Sequence, residues 1–283
     1  MRVMPPRPGL LPLLAGLALF ACSGTLAKAQ KGDAAKLEAR YVATLAGISI
    51  GRGAWVVEIT DDQFTAAASG TTAGVMRVFS SGKGTSAARG SITGGRFVPN
   101  AYASNVTADK RADDVRMAMV GGAIKEASVN PPPIPDPDRV PLTEAHRRGV
   151  IDPMTASLVR VPGTGDVLGP EACGRSASIF DGRIRYDLRS EFKRMDKVKA
   201  ETGYQGPVVV CAVYFDPIAG HIPDRTAIKF LSEQRDMEVW LAPIAGTRVL
   251  VPFRMEVPTP VGQGVLQATE FITSPLSTAA KSQ

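Results

Sequence analysis

Two histidines, His146 and His221, are the chain's whole supply of imidazole for acid–base or metal chemistry, and 75 positions separate them. Neither stands in a His-Glu-x-x-His helix, and no Asp/Asn-rich calcium loop occurs. His146, in an arginine-rich turn, reads as a solvated side chain, and His221 follows Gly220 in a loop. Nucleophile–base pairs are equally sparse. Ser80-Ser-Gly-Lys83 and Ser190-Glu-Phe-Lys193 match Ser-x-x-Lys, yet the Ser-Asp-Asn and Lys-Thr-Gly partners of that chemistry are missing. There is no Gly-x-Ser-x-Gly elbow, and Gly82-Lys-Gly84 and Gly163-Thr-Gly165 lack the strand–turn–helix setting of a phosphate loop. No catalytic, cofactor-binding or metal-binding residue is assigned, and the expectation is a protein that is not an enzyme.

The cysteines carry a firmer chemistry once the compartment is set. Met1 to Arg7 is short and basic, Gly9 to Ala21 is apolar and uncharged, and Ala27-Lys28-Ala29 offers small residues where a signal peptidase reads. The expectation is an export signal over 1–29, cleaved between Ala29 and Gln30, that delivers a periplasmic protein. Leu19-Phe-Ala-Cys22 is the alternative: cleavage there would acylate Cys22 and leave a membrane-tethered lipoprotein, although Phe20 fits a lipobox poorly. In an exported chain the remaining two cysteines, Cys173 and Cys211, are expected to form a disulfide. Their spacing of 38 suits neither a metal knuckle nor a redox Cys-x-x-Cys pair.

Removing 1–29 also removes Arg2, Arg7 and Lys28 but no acid, so the formal charge falls from +6 to +3. That balance gives no reason to expect nucleic acid as a partner. The longest later apolar run, Val208–Phe215, suits one buried strand and is too short to span a bilayer.

The elements that would position any site are short β-type runs punctuated by glycine. Arg40–Ile50 alternates as one strand, Gly51-Arg-Gly53 reads as a break, and Ala54–Thr60 and Gln63–Ser69 follow as strands. Arg77–Ser80, Thr85–Ile92 and Arg96–Tyr102 continue the series less clearly. Arg116–Val120 and Ala123–Val129 flank Gly121-Gly122 as a hairpin. The proline-rich connector at 130–141 cannot supply sheet amides, so it is expected to cross between halves of one sheet. Asp152-Pro153 marks a helix start, as does Thr143, while Asp181-Gly182 predicts a type I′ hairpin. A short helix capped near Asp224 and strands over 237–243, 247–257 and 263–272 close a single β-rich domain at 30–273. Residues 274–283 are expected to be a flexible tail. Arg189–Glu201 mixes five basic residues with Glu191, Asp196 and Glu201, which reads as a solvated strand face guarding a sheet edge.

The order of several segments resembles the exported bacterial proteins of domain of unknown function 3108. They are Tyr41–Gly51, Gly95–Pro99, Ile151–Ser157, Ile179–Tyr186, Val239–Leu241 and Val251–Arg254. That family is similar in architecture to periplasmic lipoprotein carriers. The resemblance implies a mainly β fold, a strongly curved antiparallel sheet open as a half-barrel with helices plugging its concave face. It implies no catalytic residue. The function expected is binding of a hydrophobic or amphipathic envelope molecule, a lipid or an acylated protein. The alternatives are a scaffold that docks another envelope protein along a sheet edge, and an envelope-polymer hydrolase, for which the motifs are missing.

Overall fold

The computed structural model describes Met1 and residues 34–74, 82–109 and 111–276. The expected signal segment with Ala29, Gln30 and Cys22 therefore lies outside the described residues, as do the strand expected at Arg77–Ser80, the Ser80 of the first Ser-x-x-Lys, and the tail beyond 276.

Seven strands form an antiparallel meander in which each pairs with the next: β1 (Ala35–Leu45), β2 (Ile48–Ile59), β3 (Gln63–Thr72), β4 (Gly82–Thr93), β5 (Arg96–Ala108), β6 (Arg111–Val120) and β7 (Ala123–Asn130). The proline-rich connector and a 3-10 turn at Glu144–Arg147 lead to α1 (Pro153–Ala156) and β8 (Val159–Arg160). Next come β9 (Arg175–Phe180), β10 (Arg185–Lys199), β11 (Thr202–Gly203) and β12 (Gln205–Ala219). The chain closes with α2 (Thr226–Glu233), β13 (Met237–Pro243), β14 (Val249–Thr259) and β15 (Gly262–Pro275). The sheet runs β7-β6-β5-β4-β3-β2-β1-β15-β14-β13-β12-β10-β9, with β8 beside β14 and β11 beside β15. It is mainly antiparallel and does not close into a barrel, as a curved half-barrel requires. Bulges at Arg40/Tyr41, Arg89/Gly90, Phe192/Arg194 and Trp240/Leu241 each add local twist, which is the physical source of the curvature.

Three local readings are corrected. Arg40–Ile50 is not one strand, because Ala46 and Gly47 (φ 48° and 80°) form a tight hairpin turn inside it. Gly51 and Gly53 do not break the chain but lie within β2, where a Cβ on Gly53 would stand 2.9 Å from the Ser69 carbonyl. Asp181-Gly182 is not type I′. The loop spans Asp181–Ile184, and the Asp181 carboxylate accepts from the amides of Arg183 (2.8 Å) and Ile184 (2.7 Å). Gly121-Gly122, at φ 57° and 76°, does form the expected two-residue hairpin turn. The helix expected near Asp224 begins one residue later: Arg225 is its N-cap, and Asp224 pairs with Lys229 at 2.8 Å. β15 runs through Pro275, beyond the expected end of the domain.

Register places one continuous face inward. Leu37 lies opposite Val57, Val57 opposite Ala66, Ala66 opposite Ala88, Ala88 opposite Tyr102 and Tyr102 opposite Met117. All are buried, whereas their chain neighbours Glu38, Thr65, Ala87 and Arg116 are exposed. The same face continues through Leu266, Met255, Val239 and Cys211, then through Leu188 opposite Ala177 and Tyr186 opposite Ile179.

The two edge strands meet through a strap. Ala123 on β7 bridges Arg148, the Val150 amide donates to the Gly122 carbonyl (2.9 Å), and Ile151 bridges Ile179 on β9. The β9–β10 loop closes on β6 from the side, where Arg183 pairs with Asp113 at 3.0 Å. The connector does cross between the halves. It ends pinned to the close of β12 by hydrogen bonds between Val140 and both His221 (2.9 Å) and Gly220 (2.8 Å). Among the described residues no helix is long and apolar enough to cross a membrane.

Candidate binding cavity

The segment from Val150 to Gly174 occupies the concave face, and its local chemistry explains why it stays there. The Asp152 carboxylate caps α1, accepting from the Thr155 amide (2.9 Å) and hydroxyl (2.6 Å) while fully buried. Thr155 and Leu158 are buried against the β4–β5 wall. On the other side α1 faces β9. β8 then pairs with β14, and the Arg248 guanidinium donates to the carbonyls of Val161 (3.0 Å), Pro162 (3.0 Å) and Gly165 (2.8 Å). The Cys173–Cys211 disulfide, with Cα atoms 5.4 Å apart, fastens the end of this plug to the inner face of β12. Both cysteines are fully buried.

Between plug and wall remains a cavity of about 250 Å³. Pro153, Ala156 and Ser157 roof it, and Ile179, Leu188, Val213, Val239, Leu241 and Met255 form much of its wall. Ser157 and Ser190 spend their hydroxyls on the carbonyls of Pro153 and Cys173. Arg175, Ala177 and Tyr186 complete one end. Two segments that carried the family resemblance, Ile151–Ser157 and Ile179–Tyr186, supply the strap, the roof and part of this wall.

Burial raises the pKa of Asp152 above the ordinary 3.8, against the opposing hydrogen bonds from Thr155. A folded state that holds a proton more tightly than the unfolded chain is favoured below the ordinary value and loses that advantage as pH rises through the raised one. Asp152→Asn should keep the cap and flatten this fall, whereas Asp152→Ala should cost about 2 kcal/mol at any pH. Urea unfolding at stepped pH checks both. Parallel wild-type and Asp152→Asn curves would show that Asp152 does not titrate there.

The other residues singled out by type are scattered. The His146 ring Nδ1 accepts from the Thr143 amide (3.1 Å), taking the role that Glu plays in a capping box, so it is not simply a solvated side chain. His221 is buried at the connector junction, and burial lowers its pKa. Ser190 and Lys193 do not face each other: the serine bonds the Cys173 carbonyl and the lysine pairs with Glu238. Among the described residues no three His, Cys, Asp or Glu side chains gather to hold a metal ion. β10 pairs with β9 only as far as Ser190, so its basic and acidic stretch beyond is bordered by β12 alone. There Arg194 joins Glu238 at 2.8 Å and stacks over Trp240, whose indole donates to Asp196 (2.9 Å). Sequence reasoning passed over Arg175, since nothing in its neighbours Gly174 and Ser176 marks it.

Residues 40–269 match the family described as Protein of unknown function (DUF3108), and the chain belongs to it. No curated protein matches the chain. Among solved structures it is similar to a β-barrel-like protein of domain of unknown function DUF1849 from Brucella abortus. That likeness has a TM-score of 0.42 and 9% identity, over 85% of this chain and 98% of that one. It is also similar to a Parabacteroides distasonis ATCC 8503 protein provisionally described as a lipoprotein, with a TM-score of 0.32 and 11% identity over 83% and 94%. Likenesses of that size leave this chain's chemistry to be read from its own residues.

Proposed function

We propose that this member of the DUF3108 family is an exported, non-enzymatic envelope protein that holds a hydrophobic or amphipathic molecule, a lipid or the acyl part of another protein, within its half-barrel. The observation that supports this reading is the apolar cavity roofed by α1 on the concave face. Its mostly apolar lining favours an apolar occupant, and the disulfide and Arg248 brace its walls against collapse. A soluble periplasmic form would act as a mobile carrier. Acylation at Cys22 would make the same fold a tethered receiver.

The test is native mass spectrometry of protein purified from the periplasm without detergent, followed by lipid extraction. A bound amphiphile is the expected result, and Ala177→Phe, which projects a ring into the cavity, should reduce its occupancy at least ten-fold. Consistent recovery of ligand-free protein, with no uptake of added amphiphile, would sink the reading. A second reading, docking of an envelope protein along β10, draws on the half-exposed Phe192 and Met195 beyond the end of β9. Crosslinking from those two positions to one defined protein, with the cavity empty, would favour it instead.

A further inference from the structure

Among the described residues Arg175 is the one charged side chain on the cavity wall, and its guanidinium has no partner there. It opens β9 opposite Ser190 and shares a face with Ala177 and Ile179. Its guanidinium makes no hydrogen bond or ion pair among the described residues. Arginines nearby behave otherwise: Arg183 pairs with Asp113, Arg185 with Asp187, Arg189 with Glu191 and Arg194 with Glu238. Among the described residues no carboxylate lines the cavity. The two serine hydroxyls at the wall are already spent on backbone carbonyls, so neither offers the guanidinium an alternative polar neighbour. Burial, unopposed by any acid, lowers the Arg175 pKa from its ordinary value. Unpaired arginines elsewhere on the chain, such as Arg89 and Arg111, are exposed to water. A half-buried cation left unpaired on an apolar wall is costly, which points to a partner missing at this one.

We propose that Arg175 receives the anionic head of the bound amphiphile, a carboxylate or a phosphate monoester on one apolar chain that fills the cavity. This rests on the binding reading above and narrows it. A planar guanidinium meets either head in a two-point, charge-assisted contact, whereas a cationic head would be repelled and an alcohol would gain little. Size limits the rest. About 250 Å³ lies below the roughly 300–1,000 Å³ typical of drug-sized sites, so the space takes one short chain and excludes a diacyl or triacyl group.

Calorimetric titration of the exported, delipidated full-length protein with octanoate, octyl phosphate, 1-octanol and octyltrimethylammonium tests this. The expected result is that one or both anions bind about ten- to hundred-fold more tightly than octanol, and that the ammonium probe does not bind. Which anion binds more tightly identifies the head. Arg175→Leu should bring the preferred anion down to the level of octanol and leave octanol unchanged, while Arg175→Lys should restore part of the preference. Equal binding of anion and alcohol by the wild type would overturn the role of Arg175 while leaving the cavity's function standing, and this comparison holds even if a variant fails to fold. A uniform loss of all probes in Arg175→Leu would also overturn it, as a packing effect. Binding of no probe at all by the wild type would instead remove the function proposed above.

Discussion

Replacing both Cys173 and Cys211 with alanine is expected to destabilise the oxidised protein by about 4 kcal/mol, seen as a fall in Tm of about 10 °C. The 38-residue separation sets the first figure, because cross-linking a loop of that length removes chain entropy mainly from the unfolded state. The position adds a consequence that the entropy argument lacks. Cys211 sits on the concave face of β12 and Cys173 ends the plug. Losing the bond therefore frees one end of the segment that roofs the cavity, and ligand affinity should fall with stability. Wild-type protein under reducing conditions should melt with the double variant. Coincident melting of the oxidised and reduced wild type would show that the bond does not hold the plug.

Gly182→Ala is expected to cost about 3 kcal/mol. At φ +98° an L side chain is strained by about 1–2 kcal/mol, and the new Cβ would lie 2.5 Å from Val115 Cγ1 and 3.5 Å from Val129 Cγ2. Relieving that overlap costs about 1–3 kcal/mol more. Both valines belong to the opposite edge of the sheet, so the contact is where β9–β10 closes on β6–β7. Gly246→Ala is the matched control, since its φ is +82° with nothing within 4 Å. Urea midpoints for the two variants isolate the closure. Equal losses would mean that the edges do not depend on this contact.

The difference between those glycines shows where sequence reading stops. Both look like turn residues, and local chemistry covers that much. Only Gly182 touches strands more than fifty positions away, and no nearby residue reports it. The Asp181 turn departs from a type I′ hairpin for a local reason, the carboxylate's bonds to two amides, yet its place against Val115 is tertiary. Gly51 and Gly53 read as a break because glycine often is one, and β3 made them strand by bringing the carbonyls of Thr71 and Ser69 close.

What the sequence determined alone was set by interactions within a few residues or by composition. Alternation specified most strands, Asp152-Pro153 specified the plug helix, prolines excluded 131–141 from the sheet, and two cysteines in a chain expected to be exported implied a bond. The tertiary structure decided what faces what. β1 and β15, some 230 positions apart, pair to join the halves, and only then do Arg175, Ser190, Cys211 and Met255 share one face. An arginine on a short strand is ordinary by its neighbours. It becomes an unpaired cation at an apolar cavity because the pairing of β9 with β10 sets it on a wall whose described lining residues include no acid, and that placement is a property of the whole sheet.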